Sequence, residues 1–215
     1  MSFRPLMIRY GVQFRTILFP LRFLELVNVL EKKGYEISPS LPSPPPPQRM
    51  SGAGEIARKG KAVLQIDTSG QGLRVADVSL ASAIQSFEEI AAMLAEDYDI
   101  DINEFARFYD LHAVYTVPTK KRPYEAISKA LRSPIFDDLA KVLEEKIWPF
   151  DLRFGGADLV VNSENWFDIT VRPDYEREDS YIFEIVFRNN DRIKTREFAR
   201  KFEKRVPEII RVIEG

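Results

Sequence analysis

The sequence contains no cysteine and only one histidine, His112. Without a thiol, the chain has no thiol nucleophile, no thiolate ligand for zinc or an iron–sulfur cluster, and no disulfide. A single histidine also excludes any site that needs two imidazoles. The HExxH, GxSxG and Walker signatures are missing as well, which removes three large classes of hydrolase. We therefore predict neither a metal nor another cofactor.

Long apolar runs are also missing. The most apolar stretch, residues 17–30, is interrupted by Pro20, Arg22, Glu25 and Asn28, whereas a membrane-spanning helix needs roughly 20 uninterrupted apolar residues. The first residues carry no continuous apolar region followed by small residues, so we predict no secretory signal. We expect a cytoplasmic protein that makes no membrane contact. The absence of cysteine together with 30% charged residues is typical of a heat-adapted organism.

Charge is nearly balanced overall, with 31 basic and 33 acidic residues, but it is unevenly distributed along the chain. Residues 1–75 hold 11 basic and 5 acidic residues, whereas residues 76–110 hold 1 and 9. Residues 151–187 are again acidic, and residues 188–215 are basic. Such blocks either neutralise one another in the folded protein or present charged patches to a partner.

The first part of the chain predicts a strand, a helix and a proline-rich loop. Residues 6–18 alternate between apolar and polar side chains, as in a strand with one buried face. Pro20 then opens a predicted helix, and Gly34 stands where a left-handed C-terminal cap is expected. Residues 38–54 contain six prolines, four of them in succession at Pro44–Pro47. We expect an exposed spacer here, although a polyproline II segment is also a shape that aromatic-lined grooves bind.

A hairpin and a second helix are predicted to complete the first half. Residues 62–67 and 73–78 each alternate, and the glycine-containing turn between them favours a β-hairpin. Ser79 is the expected N-cap of the helix that follows. The predicted buried face of that helix comprises Leu80, Ala83, Ile84, Phe87, Ala91 and Leu94.

The second half follows a similar order. Residues 107–117 predict a strand, Pro123 opens a helix, and Ser133-Pro134 starts another that runs through Leu139, Val142 and Leu143. Three more strands are predicted near residues 150–162, 165–172 and 180–188. A final helix begins near Asp191. Its predicted inward residues are Phe198, Phe202, Val206, Ile209 and Val212.

The common order of elements suggests an internal duplication of about 100 residues. At a shift of 99 residues, Tyr10, Val12 and Leu18 match Tyr109, Leu111 and Val117. We predict an α+β fold of two related halves, 1–100 and 101–215, forming antiparallel sheet backed by helices. In topology this order resembles the duplicated fold of TATA-binding proteins, although no DNA-contacting motif matches residue by residue. Alternatively, residues 6–117 form a ferredoxin-like unit that precedes a second α+β unit.

Basic side chains of the first half are candidates for a binding surface. Arg9, Gln13 and Arg15 share one face of their strand, because residues i and i+2 point the same way. Lys61 is assigned to a second strand and Arg74 to a third. If these faces coincide, they form a basic surface for phosphate or an acidic partner. The C-terminal helix adds further basic residues that a nucleic acid would contact: Arg196, Arg200 and Lys204.

One group of residues would suit an enzyme. Asp110 and His112 share a strand face, and Asp168 and Glu184 lie on later strands. A carboxylate beside His112 could orient the imidazole for proton transfer, or the groups could jointly hold a divalent metal. This pattern is common on exposed strands, so these four residues are weak catalytic candidates.

We predict a non-catalytic protein that acts through macromolecular contact, with a protein partner or a second copy of itself. Nucleic acid or another polyanion is the alternative ligand, and acid/base or metal-assisted catalysis is the third hypothesis. The main reason is an excess of aromatic residues over what two small cores need, since such residues are enriched at interfaces. The residues in question are Phe3, Tyr10, Phe14, Phe19, Phe23, Trp148, Trp166 and Phe167.

Overall fold

The protein is an α+β fold with one large antiparallel sheet and six helices. The computed structural model describes residues 3–15, 23–38, 53–67, 71–158, 160–161 and 163–215. The strands are β1 (Arg4–Phe14), β2 (Glu36–Ile37), β3 (Ala53–Lys59), β4 (Ala62–Asp67), β5 (Gly72–Asp77), β6 (Ala106–Pro118), β7 (Leu152–Gly155), β8 (Trp166–Asp174) and β9 (Arg177–Asn189). The helices are α1 (Phe23–Lys32), α2 (Leu80–Tyr98), α3 (Ile102–Phe105), α4 (Pro123–Ala130), α5 (Pro134–Leu143) and α6 (Arg192–Glu214).

The strands follow the order β2-β3-β4-β5-β1-β6-β9-β8-β7. The first strand of each predicted half, β1 and β6, therefore pair with each other at the centre of the sheet, from Arg4 opposite Thr116 to Phe14 opposite Ala106. Strands that precede residue 101 lie on one side of this pair, and later strands lie on the other. One sheet thus runs through both halves, and their division into domains at residue 100 stays a prediction.

The core lies between one face of this sheet and the helices. On β6, every second residue from Tyr109 to Val117 is fully buried toward the helices, as the alternation predicts. Helix α2 packs on β1 and β5, where the rings of Tyr10 and Phe87 meet edge to face at 5.3 Å. Helix α6 packs on β6 and β9 through Phe202 and its neighbours. Both long helices consequently cover the same side of the sheet.

Helix ends agree well with the sequence signals. The Ser79 hydroxyl accepts a hydrogen bond from a backbone amide at the start of α2, and the Asp191 carboxylate does the same for α6. Pro123 occupies the first turn of α4, as predicted. Gly34 has φ +82, the left-handed conformation that its role as a C-cap requires. These predictions are confirmed because each depends on a few neighbouring residues.

Some predicted elements differ from the observed ones. Strand β7 covers four residues, not the whole of 150–162, and β2 and β3 were not predicted. Val212 is exposed, and Ile210 and Ile213 face the core in its place, because they continue the helical spacing set by Val206 whereas Val212 lies on the outer side.

Several predictions concern other parts of the chain. The predictions for Pro20, Phe19, the turn at 68–70 and the prolines of residues 39–52 lie outside the described residues. No helix in the described ranges is long and apolar enough to cross a bilayer.

Candidate functional site

The side of the sheet opposite α2 and α6 carries most of the site residues that the sequence predicted on strands, and we call it the open face. Pairing registers align its side chains in rows across the strands. One row contains Arg74, Gly11, Asp110, Arg188 and Trp166. The next row contains Ala76, Arg9, His112, Val186 and Asp168. The open face therefore brings together polar residues from five different strands.

An ion pair crosses the central strand within the first row. The Nε and Nη2 atoms of Arg74 donate to Oδ2 of Asp110 at 3.3 Å and 3.2 Å. These side chains are only 21% and 11% exposed. Gly11 lies between them, and a Cβ there would stand 2.6 Å from Cγ of Arg74 and 2.2 Å from the carbonyl oxygen of Leu73. The crossing thus requires glycine at position 11.

Arg188 is held between two aromatic rings at the other end of the same row. Its guanidinium carbon lies 4.9 Å from the ring centre of Phe108 and 5.4 Å from that of Trp166. Burial lowers the pKa of Arg188, and the nearby charge of Asp110 opposes this effect. Cation–π contacts of this kind contribute about 0.5–2 kcal/mol each. They hold the guanidinium against the open face.

The four catalytic candidates do not form one cluster. His112 Nε2 lies 2.7 Å from Oε1 of Glu184, so the structure does bring these two together. Asp168 is paired with Arg153, whose Nε donates to both carboxylate oxygens at 2.9 and 3.0 Å. Hydrogen bonding to Asp168 raises the pKa of Arg153. Within the described ranges, no three acidic or histidine side chains converge as a metal site would require.

The predicted basic surface is smaller than the sequence suggested. Arg9 lies on the open face, and within the described part of the chain it forms no ion pair and its buried Nε has no hydrogen-bond partner. Gln13 also lies there and accepts a hydrogen bond from Arg74 at 3.1 Å. Arg15 follows the last residue of β1, and Lys61 occupies the β3–β4 turn at the opposite end of the strands. Both lie at the margins of the open face.

The basic residues of α6 belong to a different surface. Because α6 packs on the helix-covered side, Arg196, Arg200 and Lys204 lie across the sheet from Arg9. Arg196 approaches Glu88 of α2 to 3.9 Å, while Arg200 and Lys204 are exposed. One compact ligand cannot contact both basic sets at once.

The sequence did not predict an exposed apolar surface on α5. Its pattern predicted a helix through Leu139, Val142 and Leu143, and the structure shows that this helix has no buried residue. Four of its side chains are between 42% and 78% exposed, and we call them the α5 surface: Ile135, Leu139, Val142 and Leu143. One feature of the sequence could have indicated the exposure of α5: this helix directly follows another helix, with no strand between them to pack on. Amphipathic spacing shows which face is apolar but does not show what covers it.

A groove of about 730 Å³ separates α5 from α4. Its apolar walls are formed by Tyr124 and Phe136 together with residues 147–149, the sequence Ile-Trp-Pro. Trp148 is thus one expected interface aromatic that lies on the surface, whereas Tyr10 and Phe14 are buried in the core.

No protein-family model matches this chain, and no curated protein matches it either. The function is therefore inferred from the open face, the α5 surface and the groove.

Proposed function

We propose that this protein acts by binding another protein through the α5 surface. The observation that supports this function is an amphipathic ten-residue helix that has no buried residue and whose four side chains of the α5 surface are 42–78% exposed. Isolated helices shorter than about 12–15 residues are marginal in water, so such a helix gains most of its stability from packing. Burying one leucine or isoleucine contributes about 1.5–3 kcal/mol. A partner that covers the α5 surface would supply that stabilisation.

The test compares two variants of α5 in the full chain. Leu139→Glu places a charge in the α5 surface, whereas Lys141→Gln changes an exposed position on its polar side. We expect affinity capture to retain a partner protein with wild type and with Lys141→Gln. Leu139→Glu should lose that partner. Empty captures with wild type would contradict the proposal.

We further propose that the fold is an internal duplication with the arrangement of TATA-binding proteins. Three features support it: β1 and β6 form the central pair, strands run outward from each, and each half ends in a long helix on the same side. In the ferredoxin-like alternative for residues 6–117, the strands of the unit are β4, β5, β1 and β6, which are neighbours in this order in the sheet. An experimental structure in which residues 4–98 superpose on 106–214 would support duplication, and failure to superpose would exclude it.

Polyanion binding is a second candidate function, and a specific observation favours it. Among the described residues Arg9 has no ion-pair partner, and it lies on the open face in the row next to Arg188, which contacts two aromatic rings. Fluorescence anisotropy with labelled DNA and RNA at about 50 mM salt tests this proposal. Arg9→Ala should weaken binding, whereas Lys61→Ala, at the margin of the face, should change it little. Absence of binding at that salt concentration would exclude this function.

Catalysis at Asp110 and His112 stays a prediction. The contact between His112 and Glu184 supports a proton-transfer role, while the pairing of Asp110 with Arg74 favours a structural one. A metal assay together with His112→Ala addresses it directly. A metal-free protein whose activities all survive His112→Ala would remove this hypothesis. A cytoplasmic location likewise stays a prediction, and cell fractionation tests it.

A further inference from the structure

The groove between α4 and α5 has the composition of a peptide site. Tyr124 and Trp148 are 44% and 59% exposed although both are large aromatic residues. Phe136 and Pro149 complete an apolar floor between them. None of the four residues of the α5 surface lines this groove. The groove is thus a second surface, separate from the one assigned to the proposed function.

The lining of the groove carries charges of both signs: the basic Lys129 and Arg132 and the acidic Glu125 and Asp137. Asp137 lines the groove and forms no ion pair with any described residue. Glu125, across the groove, accepts a hydrogen bond from the Tyr124 hydroxyl at 3.0 Å and is paired with Arg122. Asp137 is therefore the acidic group of this lining that remains available to a basic ligand.

Exposed aromatic rings beside a carboxylate match one class of peptide. Proline-rich segments form a polyproline II helix without a binding partner, so they lose little conformational entropy when their rings pack on Tyr and Trp side chains. A neighbouring arginine would then pair with Asp137.

Residues 42–49 of this chain read PSPPPPQR and contain both features: consecutive prolines at Pro44–Pro47, then Arg49. We propose that the α4–α5 groove binds this proline-rich segment of a second copy of the chain.

Geometry favours a second copy over the same chain. Ser38 and Ala53 bracket the segment at the end of the sheet near Ala106, whereas α4 follows Pro118 at the opposite end of β6. The groove lies five strand positions away from β3, beside β9, which is about 24 Å across the sheet. Six extended residues from Ser38 to Pro44 span at most about 20 Å. The segment therefore reaches the groove of a neighbour and not its own.

This contact joins two different surfaces, so it is heterologous. Heterologous contacts generate rings when the rotation closes and open chains when it does not. We expect a concentration-dependent series of oligomers, not a single symmetric dimer.

A synthetic peptide of residues 38–53 is the probe, titrated into the full-length protein. Trp148 and Trp166 are the only tryptophans, so Trp166→Phe leaves Trp148 as the fluorescent reporter of the groove. We expect a saturable change in its emission. Replacing the four prolines of Pro44–Pro47 by alanine in the peptide should weaken binding by about tenfold. Equal binding of both peptides, or no binding, would overturn the proposal.

Variants of the protein locate the site. Trp148→Ala, measured calorimetrically, should weaken peptide binding by about tenfold, and its exposed position predicts an unchanged circular dichroism spectrum. Asp137→Asn and an Arg49→Ala peptide should each weaken binding by a few-fold, and combining them should add nothing further. Leu139→Glu should leave peptide binding unchanged, because Leu139 does not line the groove. This variant therefore distinguishes the groove from the α5 surface of the proposed function. Full additivity of Asp137→Asn with the Arg49→Ala peptide would overturn the predicted pair.

The second copy as occupant has its own test. Sedimentation velocity should show oligomers of wild type that disappear when Pro44–Pro47 are replaced by alanine in the chain. Peptide binding by a protein that is monomeric at about 100 µM, a concentration well above micromolar contacts, would overturn the second copy as occupant. Oligomers that survive the replacement of these prolines would overturn it as well.

Discussion

Replacing Arg74 with methionine removes both hydrogen bonds that the structure gives to the buried carboxylate of Asp110. The other carboxylate oxygen, Oδ1, is buried without any partner in the described residues, so no second protein contact takes over. Breaking a fully buried ion pair costs about 3–5 kcal/mol. Arg74 is one-fifth exposed and Arg188 contributes a nearby positive charge, so we expect the free energy of unfolding to fall by about 2–3 kcal/mol.

Urea unfolding followed by far-ultraviolet circular dichroism measures this loss. A double-mutant cycle with Asp110→Asn isolates the pair, and the double variant should be more stable than the sum of the single losses predicts by about 1 kcal/mol or more. Arg58→Met is the matched control, because Arg58 forms an exposed i,i+3 pair with Glu55 and should cost less than about 0.5 kcal/mol. Gly11→Ala should also destabilise the protein, because the added Cβ would stand 2.2 Å from the carbonyl oxygen of Leu73 on β5.

Three results would refute this reasoning. Equal, small losses for Arg74→Met and Arg58→Met would mean that the crossing pair contributes no more than a surface pair. Strict additivity in the cycle would mean that Arg74 and Asp110 do not interact. Tolerance of Gly11→Ala would show that β1 and β5 do not approach each other at this position as closely as the structure indicates.

Three further predictions concern stability. Burial raises the pKa of Tyr35 and Tyr109 to about 12, so above pH 10 the unfolded chain loses these protons first. The contribution of these two phenols to the free energy of unfolding should be constant below pH 10 and should be lost between pH 10 and 12, by up to about 3 kcal/mol per phenol. Urea titrations with tyrosinate absorbance measure this loss, and native phenols that titrate near pH 10 would contradict the prediction. Ser79→Ala should lower the free energy of unfolding, measured by thermal unfolding, by about 1 kcal/mol, because it removes the N-cap of α2. Ser79→Asp is the control and should change the stability little, because aspartate also caps helices. Leu111→Ala should lower the free energy of unfolding, measured in urea, by about 2–5 kcal/mol, because Leu111 is fully buried. Leu139→Ala should lower it by less than about 1 kcal/mol, because Leu139 is exposed. Equal losses for the two variants would show that α5 packs on the protein.

Local signals predicted most of the secondary structure. The cap at Ser79, the start of the last helix near Asp191, the proline at the start of α4 and the alternation of β6 depend on a few adjacent residues, and the structure confirms them. The alternation of side chains along a strand also predicted that Arg9 and Gln13 share one face of β1, and that Asp110 and His112 share one face of β6. Partners across the sheet could not be predicted this way, because His112 meets Glu184 only through the order of strands.

The sequence by itself determined which residues alternate, where helices begin and end, and that α5 has one apolar side. The tertiary structure alone decided which of those apolar sides is covered. Alternation and helical spacing are properties of neighbouring residues, whereas burial requires a second element at the right place in the fold. For α2 and α6 the sheet provides that element. For α5 no described part of the chain does, and this is why its apolar side remains on the surface.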